Sequence, residues 1–218
     1  MKRYFLALVL LGFTSTISAQ YGKGDYNHIG ISLGINQTDL YTDNFNIKPG
    51  TSWTGGLSMR GNYYNNFSMI YGMSFSENKF AIETFSGISQ KEVDLKMMAV
   101  QVHLLLCYKI GGGPVSLDFG PVLQVNSKLK FNSSDENNFI VGNELLRVQD
   151  IEDINPINFN VYAGISGGFE NIRLSLSYQY GVTNILNNLN KQDEVALVAD
   201  GKLKGNLGII AGNIIFYF

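Results

Sequence analysis

Few residues in this chain could do chemistry on a substrate. Among 218 residues there are two histidines, His28 and His103, and one cysteine, Cys107. Nucleophilic catalysis needs an exposed Ser or Cys beside a base that a third group orients. No acid orienting a histidine next to an exposed serine is visible, so a Ser-His hydrolase stands only as an alternative. The plainer reading of His103 is a polar residue bonded to its neighbours. A single cysteine makes neither an intrachain disulfide nor a Cys-based metal motif. Gly111, Gly112 and Gly113 lack the Lys-Ser/Thr and helix that follow a phosphate loop, and read as a tight turn. Asp135, Glu136, Asp150, Glu152 and Asp153 could take a divalent cation, but their spacing is not that of a calcium loop, and a solvated loop explains them as well. The sequence thus predicts no catalytic residue, no metal site and no cofactor.

Three other charges carry more information. Arg60, Asp118 and Arg173 each fall on the polar face of an alternating segment, a few residues from a predicted short turn. If that face is the inside of a narrow barrel, Asp118 is expected to bridge the two arginines and close the lumen at that end. The alternative is a selectivity ring in an open pore.

The elements that must position these residues follow from a period of two. Residues 29–35 alternate Ile29, Ile31, Leu33 and Ile35 with Gly and Ser. Segments 67–75, 157–169 and 172–182 repeat the pattern with Phe, Tyr, Leu and Ile on one face and Ser, Asn, Gln and Arg on the other. Segments 52–63, 115–126 and 205–218 fit it less cleanly, and 93–109 is more uniformly apolar. That makes eight strands, an even number as a closed outer-membrane barrel requires. The connections add an independent signal. Those near 64–66, 111–114 and 170–171 are short, whereas 37–51, 77–92, 127–156 and 184–204 are expected as long loops. Short turns alternating with long loops are the meander of an outer-membrane barrel.

Composition agrees. Charged residues are 16%, aromatics 12%, and the formal net charge is −2, with 24 glycines. A near-neutral chain gives no sign of a nucleic-acid partner. Lys2 and Arg3 followed by the apolar run Tyr4–Phe13 and the largely small residues Ser15–Ala19 form a secretory signal, too short to span a bilayer as a helix. Cleavage after Ala19 is expected, leaving residues 20–218 as the barrel domain, with a retained anchor as the alternative.

Alternation alone does not say which face points inward. A soluble, lipocalin-like barrel would bury the large apolar side chains inside, and a membrane barrel would turn them to lipid. Three features favour the membrane: strands of about ten residues, aromatics near strand ends (Trp53, Tyr63, Tyr108, Tyr180, Phe216 and Phe218), and an aromatic-rich final strand. The expected fold is an all-β, eight-stranded antiparallel up-and-down transmembrane β-barrel in the outer membrane.

The stretch Met98–Lys109, then Gly111–Gly113 and Leu117–Pro121, resembles the PorT-like outer-membrane β-barrel family. Leu174–Ile185 is similar to the penultimate strand of that family. His103 stands where the family often has Pro, and Cys107 where it often has Lys. The resemblance implies an eight-stranded barrel, with one branch associated with protein secretion, but no single activity. The functional expectation is a non-enzymatic barrel in contact with outer-membrane lipid, with envelope or secretion proteins as partners and no identified small-molecule ligand. The alternatives are a small solute channel and, less favoured, a lipid-modifying enzyme.

Overall fold

The computed structural model describes residues 28–218 apart from 88, 113, 170 and 200. The expected signal segment, residues 1–19, lies outside the described residues. Ten strands form one antiparallel sheet: β1 (His28–Tyr41), β2 (Ile47–Tyr64), β3 (Phe67–Ser86), β4 (Ser89–Lys109), β5 (Val115–Asn126), β6 (Phe139–Ile140), β7 (Asn143–Arg147), β8 (Ile157–Gly168), β9 (Ile172–Gly181) and β10 (Asn206–Tyr217). Eight of them, all but β6 and β7, close into a barrel in which neighbours in the chain are neighbours in space. The ring shuts where β1 pairs with β10 from Gly30↔Tyr217 to Tyr41↔Asn206. Closure is compulsory in hydrocarbon, where every unpaired backbone amide costs several kcal/mol.

The side chains settle the direction of the faces. Ile31, Leu33, Leu57, Tyr71, Leu104, Phe119 and Leu176 all project outward and are exposed. Asn36, Thr54, Ser68, Gln101, Gln124, Asn160 and Gln179 project inward and are buried. An apolar exterior around a polar interior inverts the order of a soluble barrel and fits one seated in lipid. Of the expected girdle, Trp53, Tyr108, Tyr180, Phe216 and Phe218 are exposed on the outer wall. The side chain of Tyr63 lies outside the described residues.

The height of the apolar wall can be read from β4. Its outward residues are apolar from Met98 to Tyr108. Ten residues at about 3.3 Å each, tilted by about 40°, span roughly 25 Å, the height of an outer-membrane apolar band. Above Met98 the pattern inverts. Val93, Leu95 and Met97 now point inward and are buried, while Asp94 and Lys96 point outward. On β3 the outward series runs Tyr71, Met73, Phe75 and then Glu77, Lys79, with Phe80 and Ile82 inside. The inversion marks where lipid gives way to water.

Two of the expected long loops are therefore corrected. Residues 37–51 and 77–92 are mostly strand: β1 and β2 are joined through 42–46, and β3 runs to Ser86 and β4 starts at Ser89, with a turn at Gly87. Glu77, Lys79, Glu92 and Asp94 lie on the outer face of strands that already stand in water. The expected short turns are short. At the β2–β3 turn Asn65 takes φ 48°, and Gly111 and Gly112 take φ 60° and 69° after β4. These are left-handed values that Asn and Gly adopt at least cost.

The remaining long connections, 127–156 and 182–205, fold over the mouth opposite the short turns. The first adds β6 and β7, with β6 pairing to the top of β3 (Thr84↔Ile140). The second carries a 3-10 segment, Ile185–Lys191, and a short helix α1, Asp193–Val198. Asn184 organises this loop, its Oδ1 accepting from the backbone of Leu186 at 3.0 Å and of Gly205 at 2.8 Å. Leu129, Ile140, Leu146, Ile151, Leu186, Leu189 and Leu203 from the two loops join Phe80, Ile82, Leu95 and Met97 in one buried cluster. The barrel is thus capped by a small hydrophobic core of its own.

Candidate functional site

From the short-turn end upward, the lumen is filled in layers. Arg60 on β2, Asp118 on β5 and Arg173 on β9 all enter the lowest layer. They are gathered round one hydroxyl, that of Ser116. Arg60 Nη2 donates to Ser116 Oγ at 3.1 Å and to Ser68 Oγ at 3.4 Å. Arg173 Nη2 reaches the same Ser116 oxygen at 3.4 Å, the carbonyl of Pro114 at 2.7 Å and that of Ser166 at 3.3 Å. Ser116 Oγ donates to Asp118 Oδ1 at 3.0 Å and lies 2.9 Å from Ser166 Oγ. No direct ion pair within 4 Å joins Asp118 to either arginine among the described residues. The bridge expected of the carboxylate is made through the serine. Two guanidinium groups face one carboxylate here, and Arg60 Nη1 and Arg173 Nε are buried without a protein partner. Ser116 was not singled out from sequence. It is one of many inward serines, and only the closure of β2, β5, β8 and β9 round it makes it a hub.

Above this layer lies a cavity of about 80 Å³ lined by Ser74, His103, Leu105, Tyr162, Ser177 and Tyr217, among others. That is room for a few waters. Gly72 leaves room for His103 there: a Cβ at Gly72 would come within 2.8 Å of His103 Nε2. The other histidine, His28, sits at the start of β1, edge-on to the ring of Tyr217 with centroids 6.3 Å apart. The two histidines are not brought together. Cys107 is buried beside Ile70 and Leu105 in a small apolar patch within the wall.

The next layer is a ring of amides. Gln124 Oε1 accepts from Gln101 at 2.7 Å and from Asn160 at 2.8 Å, and Gln124 Nε2 donates to Asn126 at 2.7 Å. Gln179 Nε2 donates to Gln101 at 3.2 Å. Beside it, Asn78 Oδ1 accepts from Asn36 at 2.9 Å and from Thr38 at 3.1 Å. Each amide bonds at least one other polar side chain, so the ring is a cross-brace from wall to wall, with Asn36 Oδ1 and Asn160 Oδ1 buried without a protein partner. The hydrophobic cap closes the barrel above it.

The acidic loop residues are dispersed. Asp135 is held by Lys91 at 2.6 Å, Asp150 accepts from the backbone of Arg147 at 2.8 Å, and Asp153 takes Asn188 at 3.2 Å and lies 3.6 Å from Lys128. No group of three metal-ligating side chains is assembled among the described residues.

An eight-stranded meander barrel with an apolar band, a polar filled lumen and a folded cap defines an outer-membrane β-barrel. Residues 18–187 match the family model described as outer membrane protein beta-barrel domain, and the chain belongs to that family. It sits in the outer membrane. No curated protein sequence matches the chain. Among solved structures, Neisserial surface protein A is similar at 12% identity and a TM-score of 0.49, covering 87% of this chain and 97% of its own. Ail of Yersinia pestis, solved with the heparin analogue sucrose octasulfate, gives 16% identity, a TM-score of 0.48 and coverage of 88% and 99%. OprG of Pseudomonas aeruginosa gives 10%, 0.48, and 89% and 97%.

Proposed function

We propose that this protein is a closed, non-enzymatic outer-membrane barrel whose external cap is its working surface, engaging an envelope or secretion partner. The observation that carries the reading is the blocked lumen: a charged layer, an amide ring and a hydrophobic cap stand in series, with a cavity of only about 80 Å³ between them. A solute path would have to break all three. The rigid part most open to a partner is the cap, whose buried core holds loop residues in fixed positions while Leu145 and Leu197 remain exposed on its surface. The resemblance to PorT-like proteins supports a partner in secretion or envelope assembly. A lipid-modifying reaction finds little support, because His103 faces the interior cavity and not the lipid. Export by a cleaved segment belongs to the same reading.

Planar-bilayer recording tests the closed lumen. The purified protein is expected to give no stable conductance steps, whereas a variant lacking residues 128–154 and thus part of the cap still meets the amide ring and stays closed. Reproducible openings of the wild-type protein would overturn the proposal in favour of a solute channel.

A further inference from the structure

We propose that Lys96 and Lys130 form a seat for the phosphate of a phosphorylated glycolipid in the outer leaflet. Both lysines lie on the outer face of the barrel, directly above the apolar band. Lys96 follows Met98 in the outward series of β4, at the point where the wall turns from apolar to charged. Lys130 continues the next strand beyond β5. The two are directly paired, with Lys96 N to Lys130 O at 2.9 Å and Lys130 N to Lys96 O at 2.7 Å. In such a hydrogen-bonded antiparallel pair the α-carbons are about 5.5 Å apart. Lys79 stands opposite Lys96 on the other side. Three like charges thus run in a row across neighbouring strands, an arrangement that destabilises a sheet by itself.

The surrounding carboxylates relieve it only in part, through Glu77, which pairs with Lys79 and attracts Lys96 from farther off. Lys48 is held by Glu83 and Glu92, Lys79 by Glu77, Lys91 by Asp135 and Lys128 by Asp153. Glu77, the acid nearest the band, is further occupied by the Ser52 hydroxyl at 2.9 Å. Lys96 and Lys130 have no carboxylate within 4 Å among the described residues. They open onto a hollow of about 450 Å³ that also includes Asp94, Phe131 and Asn132. Of the acids in that hollow, Glu92 and Asp135 are already paired and Asp94 is not, so the unpaired charge there is two cations against one anion. A hollow of this size takes a sugar-phosphate headgroup, and a phosphate monoester carries about −1.5 to −2 charge. Acyl chains attached to that headgroup would lie along Met98, Val100 and Phe75. This position at the rim of the band is why a lipid, and not a soluble phosphate compound, is the occupant.

The test is thermal unfolding of the full-length barrel in detergent with diphosphorylated lipid A, with the same lipid A dephosphorylated, and with inorganic phosphate. The phosphorylated lipid is expected to raise the midpoint in a saturable way, the dephosphorylated lipid to do so at least tenfold more weakly, and inorganic phosphate not at all. The K96Q/K130Q variant should lose the phosphate-dependent part of the shift. Without lipid it should be as stable as the wild type or more so, because the like-charge pair is gone, and its gel shift on heating shows that the barrel is intact. The Lys96→Glu variant gives Lys130 an internal partner and should likewise lose the shift. Equal response to both lipids, an undiminished response in K96Q/K130Q, or an equal response to inorganic phosphate would each overturn the assignment.

Discussion

Removing the carboxylate of Asp118 should unfold this barrel more readily than removing any exposed charge. Asp118 is 3% exposed and Arg60 8%, and the two arginines meet at the Ser116 hydroxyl, which donates to Asp118. Asp118→Ala takes away the one anion facing two cations. Breaking a buried ionic group by removing one partner costs about 3–5 kcal/mol. With a guanidinium slope of about 3 kcal/mol/M, that loss lowers the unfolding midpoint by roughly 1–2 M. Asp118→Asn keeps an oxygen that can accept from Ser116 and loses only the charge, so a smaller loss of about 1–3 kcal/mol is expected. Ser116→Ala removes the shared hydroxyl, and its effect should add to that of Asp118→Ala by less than the sum, because both break one network. The assay is reversible unfolding from lipid vesicles, followed through Trp53. It is the only tryptophan in the chain and lies on the outer wall, so its emission reports insertion. If Asp118→Ala unfolds within about 0.5 kcal/mol of the wild type, the three charges do not act as a unit and the reasoning fails.

Leu104, near the middle of the outward series of β4, should not tolerate a charge: Leu104→Arg is expected to cost about 2–4 kcal/mol in a bilayer, measured by the same unfolding assay, where a water-facing position would show almost nothing. Leu146→Ala, in the core of the cap, should cost about 2–5 kcal/mol locally. It should make residues 127–156 sensitive to added protease while the barrel keeps its gel shift on heating. His103→Ala should leave the lipid A of the host unchanged by mass spectrometry, as should deletion of the gene; altered acylation on deletion would revive the enzymatic alternative. Protein recovered from the outer membrane should begin at Gln20 by N-terminal sequencing, and an intact Met1 would favour a retained anchor.

The sequence alone determined the number of barrel strands and their faces, because a pleated strand alternates its side chains whatever surrounds it. Segments 67–75, 115–126 and 172–182 could be read as strands, and Arg60, Asp118 and Arg173 placed on the polar face, from that period alone. It could not follow β3 and β4 past the membrane. There the apolar residues change from the outward to the inward face, between Phe75 and Phe80 and at the Met97–Met98 step. A reader who holds one phase meets polar residues and ends the strand, and 93–109 looks uniformly apolar because the Met97–Met98 pair at the switch is followed by the inward Ala99, Leu105 and Cys107. Which face was inside also lay beyond the sequence, since lipid and a packed core both accept Leu and Phe. Only closure of the ring decided it, by turning Gln101, Gln124, Asn160 and Gln179 into one interior where they brace one another, and leaving Leu57, Leu104 and Phe119 outside. The same closure brought Ser116 between two arginines from distant strands, and folded two loops into a shared core that neither has the apolar surface to form alone.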